Sequence, residues 1–479
     1  MKVLFAAAEA APFIKTGGLG EVVGSLPKEL KKQGVDVRVI LPLYGDIPDF
    51  FRGQMEQFLP EFPVSLGWRQ QPCEVKKLEY QGVIFYFIDN EYYYKNRPGV
   101  YGFGDEGERY AYFCSAVLAL LPSLGFQPDI IHCHDWHTGM IGVLLKARYV
   151  DNSFYQRIKT VFTIHNLQYQ GVFPLDMIAD WLGLEGKYFS LEGIEYYGQG
   201  SFMKGGIAFA QQIITVSETY AQEIQTAEGG EGLDGLLRWR SHVLKGIING
   251  IDTDEYNPQI DEELPISYGA AEASLKAKNK VKLQEKLRLE VNEDIPLVAV
   301  VSRLAFQKGI DLIIERLQEL MSCQLQLVIL GTGEEYYQER LMEGASRYPR
   351  KMATVIGFEK ALAKEIYAAS DFLLMPSLFE PCGLAQLVAL RYGTIPIVRA
   401  TGGLKDTIEP YDQDRETGYG ITFKGYSSAE MLEAVQRGLA IYWDKYKWEP
   451  LRVRAMELDF SWSQSAGQYQ QLYQELVNS

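Results

Sequence analysis

The sequence predicts an α/β protein built from two domains, each containing a parallel sheet. Short strand-like runs alternate with helix-like runs along almost the whole chain, which is typical of parallel strands joined by crossover helices. The chain has 479 residues, which is more than one hydrophobic core usually supports. The sequence Thr-Gly-Gly-Leu occurs at 16–19 and again at 401–404, after a strand-like run each time, which supports two related halves.

The predicted elements fall into two sets. In the first half of the chain a Gly-rich turn joins the first strand to a helix, and the second half continues the same alternation of strands and helices. The first set comprises strands over 3–8, 35–41, 130–133 and 160–164, with the helix over 21–33. The second set comprises strands over 297–301, 325–330, 354–356, 372–375 and 395–398.

A stretch without strand pattern, 252–294, separates the two sets. It follows a candidate hinge at 249–252 and contains a lysine-rich segment at 276–282, which we interpret as a solvated helix face. We therefore predict an N-terminal domain over 1–248 and a C-terminal domain over 249–455. The final segment, 456–479, has a helical and aromatic pattern and is predicted to cross back to the first domain.

The composition disfavours several classes of function. With 47 basic and 62 acidic residues the formal net charge is −15, so neither nucleic acid nor an anionic membrane is expected as a partner. The five cysteines include no C-x-x-C pair and are odd in number, which predicts reduced thiols. The first apolar run is too short for a signal peptide, and no run approaches the roughly 20 residues of a membrane span. Together these features predict a cytoplasmic protein.

The turn after the first strand reads Lys-Thr-Gly-Gly-Leu at 15–19. Glycines between a strand and a helix allow backbone N–H groups to approach an anion. A dinucleotide-binding fold uses the same arrangement, but the spacing is not G-x-G-x-x-G, and the second strand ends at 41–44 with no acid for a ribose. NAD binding is therefore disfavoured, whereas a simple tight turn remains an alternative.

Four of the five histidines follow or end two predicted strands. Open α/β sheets bind ligands beyond the carboxyl ends of their strands, so these segments are candidate site residues. Zinc is an alternative, but a strand and the turn after it would hold the ligands and no thiolate cluster accompanies them. Ordinary buried core histidines are a second alternative. The polar residues in question are His132, His134, Asp135, His137, His165 and Asn166.

The second half supplies candidate cations for a phosphorylated substrate. Arg303 and Lys308 lie in one turn after a strand, where the first can bind a diphosphate as a fork and the second as a point charge. Glu380 follows another strand, and Gly383 lies near the start of the next helix. Alternatively, Arg303 and Lys308 are a pair of surface cations, and Glu380 is a simple charge at a helix N-terminus.

These motifs closely resemble those of the bacterial glycogen synthase and plant starch synthase family, along nearly the whole chain. The most specific part is the combination of Lys-Thr-Gly-Gly-Leu at 15–19 with Glu-Pro-Cys-Gly-Leu at 380–384. The resemblance implies a GT-B architecture, with two Rossmann-like domains facing each other across a cleft. It also implies transfer of glucose from ADP-glucose to the non-reducing 4-hydroxyl of an α-1,4-glucan, with retention of configuration. The other matching segments are 132–137, 163–171, 202–206, 249–252, 302–304, 391–394 and 401–404.

The resemblance also implies roles for individual residues. Arg303 and Lys308 would clamp the diphosphate, Glu380 would lie beside the donor glucose, and His165 would approach the reacting sugar. The implied substrate-binding residues are Lys15, Gly18, Asp135, Asn166, Asn249, Phe358, Cys382, Gly383, Leu384, Thr401 and Gly402.

Three positions depart from patterns in the family or its relatives. Glu21 stands where the family often has Asp, and Phe358 stands where some members have a Tyr that stacks on adenine. Val388 occupies the position where many related glycosyltransferases have a second Glu that holds the ribose. This motif therefore does not predict how the ribose is recognised.

The resemblance implies ADP-glucose and an α-1,4-glucan as partners, with no metal and no other cofactor. Alternatives are a catalytically inactive glucan-binding protein, a transferase that uses UDP-glucose, or another enzyme such as a phosphorylase. The presence of Lys15, His165, Arg303, Lys308 and Glu380 together argues against an inactive protein. No lysine lies in a motif suited to pyridoxal phosphate, which argues against a phosphorylase, and the start of the chain favours a bacterial over a plastid protein.

Overall fold

The structure, a computed structural model, describes all 479 residues. The chain forms two compact units, which we call the N-terminal unit (Met1–Asn249 with Trp462–Ser479) and the C-terminal unit (Gly250–Ser461). None of the helices combines the length and the apolar character that a membrane span requires.

The N-terminal unit contains a nine-stranded sheet and a small three-stranded sheet. Apolar runs form its central strands because both faces of a parallel sheet are covered by helices. Its strands are β1 (Lys2–Ala6), β2 (Asp36–Pro42), β3 (Glu56–Leu66), β4 (Arg69–Tyr80), β5 (Val83–Asp89), β6 (Ile130–His134), β7 (Lys159–Ile164), β8 (Val172–Phe173), β9 (Glu195–Tyr196), β10 (Gln199–Ser201), β11 (Gln212–Thr215) and β12 (Leu244–Gly246). The helices before the C-terminal unit are α1 (Gly18–Lys32), α2 (Asp49–Arg52), α3 (Glu106–Leu120), α4 (Met140–Arg148), α5 (Leu175–Leu182), α6 (Phe202–Phe209), α7 (Glu218–Glu223) and α8 (Asp234–Trp239).

The order of the large sheet is β12-β11-β7-β6-β1-β2-β5-β4-β3. Strands from β12 to β5 are parallel, and the antiparallel strands β4 and β3 extend one edge. The chain order reverses at β1, which lies between β2 and β6. This switch point is where open α/β sheets form their ligand-binding crevice, beyond the carboxyl ends of the strands.

The C-terminal unit has a six-stranded sheet with all neighbours parallel, in the order β15-β14-β13-β16-β17-β18. Counted within the unit this is the order 3-2-1-4-5-6, which is typical of a Rossmann-like fold. Its strands are β13 (Leu297–Val301), β14 (Gln326–Gly331), β15 (Met352–Ile356), β16 (Phe372–Met375), β17 (Ile395–Arg399) and β18 (Ile421–Phe423). Its helices are α9 (Lys276–Lys286), α10 (Ile310–Glu315), α11 (Leu317–Ser322), α12 (Glu335–Arg347), α13 (Lys360–Ala369), α14 (Ala385–Arg391), α15 (Gly402–Thr407), α16 (Ser428–Trp443) and α17 (Lys445–Met456).

Side chains that alternate along β13 belong to two separate hydrophobic clusters, so the core of the C-terminal unit has two layers. Val298 and Val300 pack into one hydrophobic cluster, and Leu297 and Ala299 pack into another. Successive side chains of a strand point to opposite faces, so helices cover both faces of this sheet.

The last helix, α18 (Trp462–Asn478), belongs to the N-terminal unit. The Ser465 hydroxyl donates to the Ile248 carbonyl at 2.6 Å, and the Tyr473 hydroxyl lies 2.6 Å from Nδ1 of His132. Trp462 and Tyr473 are buried. Hydrogen bonds and buried aromatic rings therefore anchor the end of the chain to this unit.

Two local predictions were wrong. Helix α1 begins at Gly18, not at 21, because burial of Leu19 outweighs the low helix propensity of glycine. The lysine-rich segment forms α9 as a helix, but Lys276 and Lys280 are buried rather than solvated. The Lys280 ammonium pairs with Asp371 at 2.6 Å, so remote acceptors compensate its burial.

Candidate active site

The segments singled out in the sequence lie at the switch points of the two large sheets. In the N-terminal unit they follow β1, β6 and β7, and we call this region the N-terminal site. In the C-terminal unit they follow β13 and β16, which are neighbours in the sheet, and we call that region the C-terminal site. Carboxyl ends of adjacent parallel strands meet at one edge, which explains why residues far apart in the chain come together in each unit.

A buried carboxylate, Glu9, organises the loop after β1. It accepts hydrogen bonds from the backbone N–H of Thr16, from the Thr16 hydroxyl at 2.8 Å and from the Tyr101 hydroxyl. No motif indicates Glu9, although a lone acid inside the apolar run 3–11 is a usable signal. Lys15 forms an ion pair with Glu21, which connects the loop to the first turn of α1.

The glycines of this loop leave space beside the chain. A Cβ atom built on Gly17 or Gly18 would meet no heavy atom within 4 Å. Packing within the unit therefore does not require glycine at these two positions. Gly18 opens α1, and a helix start beside open space is suited to close approach by a ligand.

Asp135 connects the ends of β6 and β7. Its carboxylate accepts a hydrogen bond from the backbone N–H of His165 at 2.8 Å and a further one from the N–H of Asn166. Its own N–H donates to the Thr163 carbonyl at 2.9 Å. Its φ of 56° is unusual for a residue other than glycine, and such strain concentrates at functional sites. Burial raises the pKa of Asp135 to about 7, against the two backbone hydrogen bonds.

Two of the buried histidines at the ends of β6 and β7 are hydrogen-bonded to each other. Nε2 of His165 lies 2.9 Å from Nδ1 of His134, while His132 contacts the Thr163 hydroxyl and the Tyr473 hydroxyl at 2.6 Å each. Both ring nitrogens of His132 are hydrogen-bonded, so His132 is an ordinary buried core histidine, which was the second alternative for this segment. Burial lowers the pKa of His165 to about 3 and those of His132 and His134 well below their usual range. His165 is therefore neutral near pH 7, a form in which one ring nitrogen donates and the other accepts hydrogen bonds.

The remaining residues assigned to this unit differ in their surroundings. The amide oxygen of Asn166 accepts from the N–H of Gln168 at 3.1 Å, which shapes the loop after β7. Asn249 is buried, and its side-chain oxygen has no hydrogen-bond partner within the protein. No group of three or more His, Cys, Asp or Glu side chains is arranged to hold a metal ion.

In the C-terminal site Lys308 and Glu380 form an ion pair. The Lys308 ammonium lies 2.8 and 2.6 Å from the two carboxylate oxygens, and the Ser377 hydroxyl donates to one of them at 3.0 Å. Glu380 is buried, with 6% of its surface exposed. The pair joins the loop after β13 to the loop after β16, a link that no local sequence pattern indicates.

Arg303 reaches the same pair of loops through Gln307. Its guanidinium donates to the Gln307 side-chain oxygen at 3.1 Å, and the Gln307 amide donates to the Phe379 carbonyl at 3.3 Å. Arg399, which no motif had indicated, donates to the Ser377 carbonyl at 2.7 Å and to the Leu378 carbonyl. The segment before Glu380 is therefore held from both sides.

The Gly-rich segments after β16 and β17 also meet here. The Gly403 N–H donates to the Glu380 carbonyl at 3.0 Å, and a Cβ at Gly403 would lie 2.2 Å from the Cys382 carbonyl oxygen. Only glycine permits this approach. The contact brings the buried residues Thr401 and Gly402 beside 382–384, where Gly383 adopts a φ of +74° and Leu384 precedes α14.

Phe358 is placed apart from these contacts. It lies between β15 and α13, and 75% of its surface is exposed. An aromatic ring that is not used in the core is available for stacking.

We expect the Asp135→Asn variant to gain stability relative to the wild type as the pH rises. Because the folded-state pKa of about 7 exceeds the ordinary value near 4, Asp135 contributes stability fully present below pH 4 and lost as the pH rises through 7. Asn keeps an acceptor for the His165 N–H but does not titrate. The difference in free energy of unfolding between variant and wild type should shift by about 2–4 kcal/mol between pH 5 and 8.

Chemical denaturation at a series of pH values measures this difference. The buried histidines have the opposite effect, because their lowered pKa values remove stability as the pH falls below about 6.5. Comparing variant with wild type at each pH cancels their contribution. A difference that does not change with pH would contradict the assignment.

Comparison with known proteins identifies the chain. Residues 2–239 match the family described as "Starch synthase catalytic domain", and residues 282–443 match "Glycosyl transferases group 1". The chain is 52% identical to a glycogen synthase of Desulforamulus reducens, covering 100% of this chain and 99% of that protein. It belongs to the glycogen and starch synthase family. A glycogen synthase of Geobacillus stearothermophilus is 50% identical, over 100% of this chain and 98% of that protein.

Solved structures place this glycogen and starch synthase family member in the GT-B fold class. The catalytic domain of starch synthase IV from Arabidopsis thaliana, bound to ADP and acarbose, superposes with a TM-score of 0.93 at 34% identity. The alignment covers 100% of this chain and 99% of that one. A sucrose-phosphate synthase of Thermosynechococcus elongatus shares the fold alone, with a TM-score of 0.63 at 19% identity. The predicted family and fold class are confirmed, and the chain is a glycosyltransferase that transfers hexosyl groups.

Proposed function

We propose that this glycosyltransferase moves glucose from ADP-glucose to the non-reducing 4-hydroxyl of an α-1,4-glucan, with retention of configuration. The observation that carries the proposal is the pairing of Lys308 with the buried Glu380 at the switch point of the C-terminal sheet, with Arg303 bonded to Gln307 in the same turn as Lys308. The related starch synthase IV structure holds ADP and acarbose, a nucleotide and a glucan-like ligand, which supports the same pair of substrates here.

Arg303 and Lys308 are assigned to the diphosphate. Breaking the bond between sugar and phosphate leaves negative charge on the leaving group, and preorganised cations stabilise that charge as it develops. The ion pair with Glu380 holds the Lys308 ammonium in place before the donor arrives. Phe358, exposed and aromatic, is assigned to the adenine, and Gly383, Leu384, Thr401 and Gly402 are assigned to the donor by family resemblance.

The N-terminal site is assigned to the reacting sugar. His165 is neutral at working pH, so it acts as a hydrogen-bonding group, and Asp135 holds its backbone through the N–H bond. Lys15 and Gly18 contribute from the loop that Glu9 organises, with Asn166 and Asn249 as further sugar contacts. No step in this proposal requires a metal ion or another cofactor.

Release of nucleoside diphosphate tests the proposal. Purified protein is incubated with ADP-glucose or UDP-glucose, with and without glycogen, and with and without a metal chelator. We expect glycogen-dependent ADP release that the chelator does not change. Faster release from UDP-glucose would contradict the donor, and loss of activity in chelator would contradict metal independence. Absence of glycogen-dependent release with either donor would overturn the proposed function.

Retention is tested on the product. The donor glucose is α-linked to diphosphate, so a retaining transfer yields α-1,4 linkages that an α-specific glucan hydrolase cleaves. New linkages that resist this hydrolase would contradict retention.

A further inference from the structure

The turn of the small hairpin between β9 and β10 contains a tyrosine. Tyr196 pairs with Gln199, so the loop contains only Tyr197 and Gly198. Their φ angles are +48° and +81°, and positive values at both central residues are the mark of a type I′ turn. This turn favours Asn-Gly or Asp-Gly, and a bulky side chain at its first central position is costly.

The Tyr197 ring is not part of the core. It is 79% exposed, and its ring stands at 87° to that of Tyr196 with centroids 4.8 Å apart. One edge lies close to Gly232, where an added Cβ atom would lie 3.0 Å from Cε2 and 3.3 Å from the hydroxyl oxygen of Tyr197. The ring thus lies beside Tyr196 and Gly232 while most of it remains in contact with water.

Hydrogen bonds join this hairpin to the N-terminal site. The Tyr196 hydroxyl and the Gln170 side-chain amide both donate to the Glu231 carbonyl, at 2.7 Å each. Gln170 lies in the loop that begins at His165, and its neighbour Tyr169 is half exposed. The hairpin, the segment at 231–232 and the loop after β7 therefore form one connected surface.

We propose that Tyr197 is a platform on which a glucose ring of the acceptor glucan stacks, away from the ring that reacts. This inference rests on the proposed function. The C–H face of a pyranose packs against an aromatic ring, and tyrosine supplies such a surface at low cost in conformational entropy. A neutral polysaccharide also suits a chain whose formal net charge is −15, which repels anionic partners. The occupied turn position is strained without serving the core, which is expected of a residue kept for contact with a ligand.

The Tyr197→Asn variant separates this role from a role in folding. Asn suits the first position of a type I′ turn, so the thermal midpoint of the variant should equal or exceed that of the wild type. The glycogen concentration for half-maximal rate should rise about tenfold, as expected for loss of one well-formed contact. The turnover number at saturating glycogen and the KM for ADP-glucose should not change, and Tyr197→Phe should behave like the wild type.

The length of the acceptor supplies the decisive readout. A ring that binds away from the reaction is reached only by longer chains, so the variant should be impaired with maltoheptaose and unimpaired with maltotriose. Tyr446→Asn, which alters a tyrosine 93% exposed in the C-terminal unit, serves as the matched control. Calorimetric titration with maltoheptaose, without donor, should show the same loss of affinity in Tyr197→Asn.

Each of the following results would contradict either the role of Tyr197 or the proposed function as well. If the wild type is active and Tyr197→Asn has an unchanged glycogen dependence, the stacking role of Tyr197 is contradicted. The proposed function would still stand. Equal losses with maltotriose and maltoheptaose would also contradict the stacking role, because they would place the effect at the reacting ring or in the fold. A wild type that neither binds maltoheptaose nor transfers glucose to glycogen would overturn both proposals.

Discussion

We expect the Lys308→Met variant to turn over about 10²–10³ times more slowly than the wild type, the usual result of losing one preorganised donor to a developing charge. Methionine preserves much of the side-chain volume but removes the charge. The variant also leaves the buried Glu380 carboxylate with the Ser377 hydroxyl as its remaining hydrogen-bond donor. An uncompensated carboxylate beside the site for a diphosphate opposes donor binding, so the KM for ADP-glucose should rise as well.

The double variant Lys308→Met/Glu380→Gln distinguishes these two effects. Removing the carboxylate charge should restore part of the donor affinity without restoring the turnover number, because the missing cation still fails to stabilise the leaving diphosphate. Steady-state kinetics with ADP-glucose and glycogen measure both quantities. Lys278→Met, which alters an exposed lysine of α9, is the control and should retain wild-type kinetics. Near-normal turnover in Lys308→Met would contradict the assignment to the diphosphate.

The largest effect on stability is expected for Lys276→Met. The Lys276 ammonium, 1% exposed, contacts the carbonyl oxygens of Tyr367, Ala368 and Tyr392 at 2.7, 3.0 and 2.9 Å. It also contacts the Thr394 hydroxyl at 2.8 Å. These carbonyls lie at the C-terminal ends of α13 and α14, where a cation satisfies the last acceptors and interacts favourably with both helix dipoles.

Methionine would remove the four hydrogen bonds of a charged donor, although the Tyr268 and Thr394 hydroxyls still contact these carbonyl oxygens. We expect the free energy of unfolding of the C-terminal unit to fall by about 3–5 kcal/mol, the scale for losing two or more buried hydrogen bonds from a charged donor. Chemical denaturation and thermal unfolding measure the loss. Lys278→Met, two positions along the same helix and exposed, should change stability by less than about 0.5 kcal/mol. Equal midpoints for the Lys276→Met and Lys278→Met variants would contradict the role of Lys276.

Strands were the most predictable part of the fold. The runs 297–301 and 372–375 are β13 and β16 with the bounds that the sequence analysis predicted. A strand buried on both faces reads as a short continuous apolar run, and such a run can be recognised without knowledge of its neighbours. Helix starts were less predictable, as α1 shows, because burial of Leu19 depends on packing against other elements.

The lysines of α9 could not be assigned from sequence. Lys276, Lys278 and Lys280 look alike in a charged segment, yet the first and third are buried and the second is exposed. Helical geometry places residues four apart on one face. Whether that face meets water or a set of oxygen acceptors depends on Tyr367, Asp371 and Thr394, which lie about ninety or more positions further along the chain.

The sequence by itself determined the two α/β units, the family and the polar segments that follow strands. Tertiary structure alone decided which of those polar residues meet. Lys308 and Glu380 are 72 positions apart, and two strands lie between β13 and β16 in the chain, but the sheet order makes β13 and β16 neighbours. Glu9 and Tyr101, 92 positions apart, also meet only in the folded unit. Hydrophobic periodicity records which residues are buried, whereas strand order depends on packing between distant segments, which no local pattern encodes.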